Sequence, residues 1–266
     1  MSGKGVPEMG ARRIGAALGL VVLLGALLTG CGKDATDSSA ADSTLTVFAA
    51  SSLKVPFQEL ATTFEADHPG VTVSFNFAGS TDLVSQLQEG APAQVLATAD
   101  TTSIQSAVDG GLLKTTPRTL ATNHLVIAVP AGNPAGIKTF ADLGKKGTRL
   151  VVCAPEVPCG RLAGQVADAA GVTLHPVSEE AAVADVLAKV VSGEADAGLV
   201  YASDATTAGG GVEAIEIPEA VALHNEYPIA VTASAGKQAD TAQEFIDLVL
   251  SDQGRQVLTM AGFGQP

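Results

Sequence analysis

Short β-rich runs and amphipathic helical runs alternate along this chain from Leu45 almost to its end, and that alternation leaves few architectures open. Strands separated by helices cannot pair through tight hairpins. Each strand returns to its sheet across a helix, which yields an α/β fold of mainly parallel sheets flanked by helices. The strands are expected at residues 45–49, 71–77, 95–98, 125–129, 149–153, 197–201, 212–217 and 227–232. The helices are expected at 53–67, 81–89, 101–109, 160–170, 181–191, 241–250 and 252–261. In the first helix Leu53, Phe57, Leu60 and Phe64 recur as one face, and His68-Pro69-Gly70 stops the run. No repeat of solenoid period is present.

The fold reading begins only after residue 43. Arg12 and Arg13 precede an uncharged run from Ile14 to Gly32, the pattern of an export signal. A permanent membrane helix is the competing reading, since the run is about as long as a marginal span. Leu28-Thr29-Gly30-Cys31 favours export. It resembles the lipobox of bacterial lipoproteins, in which the cysteine is lipidated after cleavage before it. Residues 1–30 are then a lipoprotein signal peptide, and Cys31 anchors the mature chain. Residues 31–43 are small and polar, with too little apolar bulk to order themselves, and read as a flexible tether.

Two stretches share one design. Leu45–Lys54 and Val71–Leu83 each run from strand through Ala or Gly to a serine, where a helical pattern begins. The first turn of a helix has N–H groups without intrahelical acceptors, and a serine there adds a hydroxyl. Such a place favours an anion. The formal net charge of −13 does not oppose this, because distant charges are screened over roughly 8 Å at physiological salt. The same charge, with no cluster of Lys and Arg, excludes nucleic-acid binding.

Other chemistry lacks its parts. Ser51-Ser52-Leu53-Lys54 contains S-x-x-K, the nucleophile motif of penicillin-binding enzymes, but S-D-N, K-T-G and G-x-S-x-G are missing. His68, His124, His175 and His224 stand singly, without metal-ligand spacing. Cys153 and Cys159 flank the turn Ala154-Pro155-Glu156-Val157-Pro158. In an exported chain they invite a local disulfide, two free buried thiols being the alternative. Tyr201 ends a strand, and its hydroxyl is placed either at a crevice by the strand ends or in plain packing.

Several stretches together resemble the molybdate-binding components of bacterial molybdate ABC transporters. They are V-F-A-A-S-S-L at 47–53, F-A-G-S-T at 77–81, Q-E-G-A-P-A at 88–93 and A-P-E-V-P-C-G-R at 154–161. V-S-G-E-A-D-A-G-L-V-Y-A-S-D-A at 191–205, Y-P-I-A-V at 227–231 and G-F-G at 262–264 complete the set, in family order and spacing. The resemblance implies a two-lobed periplasmic binding protein type II fold with the ligand in the inter-lobe cleft. Lobe one is expected to hold residues 45–124 and 226–266, and lobe two 125–225. The family's ligand contacts carry over to Ser52, Ser80, Cys159, Val183 and Tyr201, with Ser51 in second rank. Gln94 stands where the family has Asp.

The resemblance further implies an extracytoplasmic, lipid-anchored, monomeric solute-binding protein on the outer face of the cell membrane. It captures molybdate, and tungstate with it, and delivers the anion to a membrane permease. Molybdenum enters only within the oxyanion; no cofactor and no catalysis are expected. Seven neutral donors are anticipated: the hydroxyls and amides of Ser52 and Ser80, the amides of Cys159 and Val183, and the Tyr201 hydroxyl. Sulfate and phosphate binders are the next alternative, and a secreted S-x-x-K hydrolase or an adhesion module a more distant one. Iron would require anionic ligands such as paired tyrosines, which the sequence does not provide.

Overall fold

The computed structural model describes residues 43–220 and 222–266; the proposed signal, the lipidation site and the tether lie outside them, except that Ser43, expected in the tether, opens the first strand by pairing opposite Val71. Strands β1 (Ser43–Ala50) and β2 (Val71–Ala78) are joined by α1 (Lys54–Asp67), which a single 3-10 turn, Ser51–Leu53, precedes. Helix α2 (Ser80–Gln88), strand β3 (Val95–Ala97) and helix α3 (Thr101–Asp109) complete the first block. A long strand, β4 (Arg118–Pro130), leads to β5 (Leu150–Cys153), α4 (Pro158–Ala170) and β6 (Ser178–Glu180). Then come α5 (Val183–Val191), β7 (Ala197–Tyr201), α6 (Ala202–Thr207) and β8 (Val212–Glu216). Strand β9 (His224–Val231) is followed by α7 (Ala239–Leu250) and α8 (Asp252–Met260).

The strands lie in the order β2-β1-β3-β9-β4-β7-β5-β6, with β8 also paired to β4. The α/β character and two-lobed build are as the alternation and the resemblance imply. The pairings, however, divide evenly. β1–β2, β1–β3, β5–β6 and β5–β7 are parallel. β3–β9, β4–β7, β4–β8 and β4–β9 are antiparallel. Every antiparallel pair involves β4 or β9. These two strands carry the chain from one half of the sheet to the other and back, so they run against the helix-connected strands.

Strand β4 begins at Arg118, seven residues before the expected start. The missed part, Arg118–His124, is largely polar and gives no apolar alternation. Its order comes from pairing with β9, Ala121 opposite Tyr227 and Asn123 opposite Asn225. From Leu125 onward β4 pairs with β7 and β8 instead. Strand β9 likewise starts at His224, three residues early, for the same reason. Two short elements, β6 and α6, also escaped the periodic pattern, each being too short to show a period.

β1 is covered on both faces, as a central strand between helices must be. Leu45, Val47 and Ala49 join the large core with Phe57, Leu60 and Phe64 of α1. Phe48 points the other way, to Leu83, Val84 and Leu87 of α2 and Ile104 of α3. Phe57 and Phe64 each meet Phe245 of α7 edge-on, at ring separations of 6.0 and 5.4 Å. In the other half, a Cβ on Gly198 would lie 2.7 Å from Val186 and 2.8 Å from Val190, so glycine is what lets α5 settle onto β7.

Phe57→Ala would empty a fully buried site between α1, β2 and α7. We expect a loss of about 3–5 kcal/mol of stability, read as a lower urea midpoint.

Candidate functional site

All six residues singled out in the sequence line one small cavity between the two halves of the sheet. Its walls are Ala50, Ser51, Ser52, Ala78, Gly79, Ser80 and Ala99 on one side. Val157, Pro158, Cys159, Ala181, Ala182, Val183 and Tyr201 face them. The free space is about 10 Å³, close to what one water-sized sphere requires. Ser52, Ser80, Cys159, Val183 and Tyr201 are each at most 5 % exposed. The halves are closed on each other: a Cβ on Gly79 would lie 2.2 Å from the Ala181 carbonyl oxygen, so only glycine permits this approach.

The residues arrive from the C-terminal ends of parallel strands, where the turn into the next helix leaves a crevice. Ser51 and Ser52 occupy the 3-10 turn after β1. Ser80 is the first residue of α2, and Val183 the first of α5. Helix α4 starts at Pro158, two residues earlier than expected, because proline is well suited to the first helical position. That start places Cys159 inside the first turn. The first regular i→i−4 bonds of the helices at Ser80 and Cys159 come from Leu83 and Arg161. The amides of Ser80, Cys159 and Val183 precede any intrahelical acceptor.

Cys153 and Cys159 are joined in a disulfide, with a Cα separation of 5.7 Å. It ties the end of β5 to the first turn of α4 and thus fixes a wall of the cavity. Within the same turn, Val157 N–H donates to the Ala154 carbonyl at 3.1 Å, and Ala154 N–H to that of Glu180 at 2.9 Å.

The hydroxyls are held by specific partners. Ser80 Oγ accepts from the Ala99 amide at 3.0 Å. Tyr201 Oη accepts from the Asn225 carboxamide at 2.8 Å. Ser52 Oγ lies 3.0 Å from the Tyr227 hydroxyl. Burial pushes both tyrosine hydroxyls above their ordinary pKa, so both remain protonated phenols. The expectation that paired tyrosines are absent is corrected here: Tyr201 and Tyr227 pack edge to face with centroids 5.7 Å apart. Of the two, Tyr201 lines the cavity. Among the described residues no group of three His, Cys, Asp or Glu comes together to hold a metal.

Among the described residues no Lys or Arg lines the cavity. Arg161 stands at its rim and pairs with Asp100 across the two halves, Nη2 to Oδ2 at 2.5 Å. It also donates to Ser103 Oγ at 3.1 Å and to the Glu156 carbonyl. Thr81 Oγ1 donates to that carbonyl at 2.9 Å, a second bond across the gap. Lys54 of the S-x-x-K stretch is exposed. Gln94 lies away from the cavity and accepts from the Thr46 amide at 2.7 Å, stitching β1 to the start of β3. Asn225, Tyr227, Asp100 and Arg161 were not foreseen as site residues. Tyr227 and Arg161 lie in recognised stretches, and Asp100 directly precedes the helix expected at 101–109, so a signal for these three existed; Asn225 carried none.

The cavity therefore presents hydroxyls and amides as donors, and it suits a small anion. The model of the bacterial extracellular solute-binding proteins matches residues 45–264. Molybdate-binding protein ModA of Mycobacterium tuberculosis is 45 % identical over 261 residues, 96 % of this chain and all of that one. Molybdate-binding protein ModA of Escherichia coli is 35 % identical over 231 residues, 82 % of this chain and 88 % of that one. The solved periplasmic molybdate-binding protein of Azotobacter vinelandii superposes with a TM-score of 0.71 at 21 % identity, over 84 % of this chain and 99 % of that one.

One buried acid beside the cavity titrates unusually. Burial raises Asp204 from 3.8 to about 7, against the stabilising Tyr201 amide 3.1 Å from its carboxylate. Between about pH 4 and pH 7 the folded protein thus binds a proton that the unfolded chain has lost. The resulting contribution to stability is full below that window and is lost as pH rises through it. Asp204→Asn keeps an acceptor for the Tyr201 amide and does not titrate. Its advantage over the parent should grow across the window to a few kcal/mol, as measured by urea unfolding at several pH values.

Proposed function

We propose that this chain, which belongs to the bacterial extracellular solute-binding proteins, captures molybdate in the closed cavity between its lobes and delivers it to an ABC permease. The observation that carries the proposal is the convergence of Ser52, Ser80, Cys159, Val183 and Tyr201 on a single cavity too small for any but a compact solute. Their hydroxyls and unpaired helix-start amides are the ligands, with Ser51 at the edge. Tungstate has the same shape and charge and is taken as well. The molybdate-binding relatives, similar over nearly the whole chain, support this choice of anion over sulfate or phosphate.

The site needs no cation. Each charge-assisted hydrogen bond contributes about 1.5–3 kcal/mol, so a handful outweighs the ~8 kcal/mol of micromolar binding. Lobe closure completes the donor set, in the hinge manner of periplasmic binding proteins. We place lobe one at residues 45–124 and 226–266 and lobe two at 125–225, which the change of β4 partners after His124 supports. We further propose Cys31 as the lipid anchor, residues 1–30 as its signal and residues 31–42 as the tether, since Ser43 belongs to β1. The protein acts as a monomer on the outer face of the membrane, makes and breaks no covalent bond, and requires no cofactor.

A thermal-shift panel of molybdate, tungstate, sulfate and phosphate on residues 44–266 tests the anion. Molybdate and tungstate should raise the melting temperature most; stabilisation by sulfate without molybdate would refute the assignment. Ser52→Ala and Ser80→Ala should each weaken molybdate binding about 10- to 100-fold by calorimetry, with the fold intact. Unchanged affinity in both would place the anion elsewhere.

A further inference from the structure

A hydroxyl carries one proton and two acceptor lone pairs, and left alone it turns to suit whatever it meets. A cavity lined by free hydroxyls would therefore accept a ligand's O–H as readily as it donates to a ligand's oxygen. Of the four hydroxyls that line the cavity, those of Ser52, Ser80 and Tyr201 are held. Ser80 Oγ receives the Ala99 amide. Tyr201 Oη receives the Asn225 carboxamide at 2.8 Å. Ser52 Oγ is 3.0 Å from Tyr227 Oη. Tyr227 is fully buried, and its ring packs edge to face on that of Tyr201, with centroids 5.7 Å apart. Where Tyr227 donates in that pair, the Ser52 proton is left free to turn to the cavity.

Asn225 and Tyr227 are two residues apart on β9, so both project from one face of the strand while Glu226 projects from the other. That face meets both halves of the cavity. Tyr227 reaches Ser52, beyond β1, and Asn225 reaches Tyr201, at the end of β7. Asn225 also donates to the Pro158 carbonyl at 3.4 Å, at the first turn of α4.

We propose that Asn225 and Tyr227 are specificity-determining positioning residues, which each occupy an acceptor lone pair of a cavity hydroxyl, that of Tyr201 and of Ser52 respectively, turn its proton toward the ligand and so weaken the cavity as an acceptor for a proton carried by the ligand. This rests on the cavity being an oxyanion site. A fully deprotonated tetrahedral anion then satisfies every donor. An oxyanion bearing a proton brings a donor against a donor, and one buried group is left unpaired. Neither side chain touches the ligand; both act through the hydroxyls.

The test is calorimetric titration of the full described chain, residues 43–266, with molybdate, sulfate and phosphate at one mildly alkaline pH. There phosphate keeps one proton, and molybdate and sulfate keep none. The variants are Asn225→Leu and Tyr227→Phe, each removing a donor without adding charge. Asn225 is half-buried, so its variant serves if the fully buried Tyr227 does not tolerate change. The expected result is that discrimination of molybdate over phosphate falls about tenfold, the effect of one unpaired buried donor. Discrimination of molybdate over sulfate, two unprotonated anions that differ in size, should stay within about twofold. Equal weakening of all three anions would reduce both residues to structural supports and overturn the proposal, as would unchanged affinities. A parent that binds none of the three fails differently, since the cavity itself would then not be an oxyanion site.

Discussion

A helix cannot satisfy the amides of its own first turn, and the organisation of this protein around its cavity follows from that deficit. The turns that begin at Ser51, Ser80, Pro158 and Val183 all deliver such amides to one place. They can do so because each follows a strand of the parallel parts of the sheet, and parallel strands end in register on one edge. Buried N–H groups without acceptors are costly. The closed cavity is therefore a place where the fold leaves donors that an anion would complete. This explains how an acidic protein can present a site for an anion without a single lysine or arginine in its wall.

The antiparallel pair β4–β9 has a different task. It carries the chain between the halves and also supplies, from its polar residues, the groups that hold the cavity hydroxyls. Asn225, which holds Tyr201, and Tyr227, which meets Ser52, both come from it. Buried polar side chains on a crossover strand would be a defect in an ordinary core. Here they are paired with hydroxyls of the opposing walls. The terminal Gly262-Phe263-Gly264 stretch closes the back of this arrangement. Phe263 meets Tyr227 edge-on at 5.3 Å, and Gly264 exchanges backbone hydrogen bonds with Thr122.

Closure is held at the rim by contacts of another kind. Arg161 from α4 reaches Asp100, whose carboxylate also caps α3 through the Ser103 amide. One acid thus serves both a helix end and a bridge between lobes. The charged groups stay at the rim and are paired, which leaves the interior of the cavity neutral.

The amino-acid sequence by itself determined the strand–helix alternation, the amphipathic face Leu53-Phe57-Leu60-Phe64 and the proposed contact residues, all of which the structure gathers at one cavity. These are local properties: periodicity, the chemistry of helix starts, and short motifs in a recognisable order. The beginning of β4, the start of β9 and the strand β6 were not legible, because polar or very short segments become strands only through partners distant in sequence. The meeting of Tyr201 with Tyr227, and the support that the Tyr201, Ser52 and Ser80 hydroxyls receive from Asn225, Tyr227 and the Ala99 amide, were decided by tertiary structure alone. A hydroxyl has no direction until a neighbour claims its lone pair, and those neighbours stand between 19 and 175 residues away along the chain.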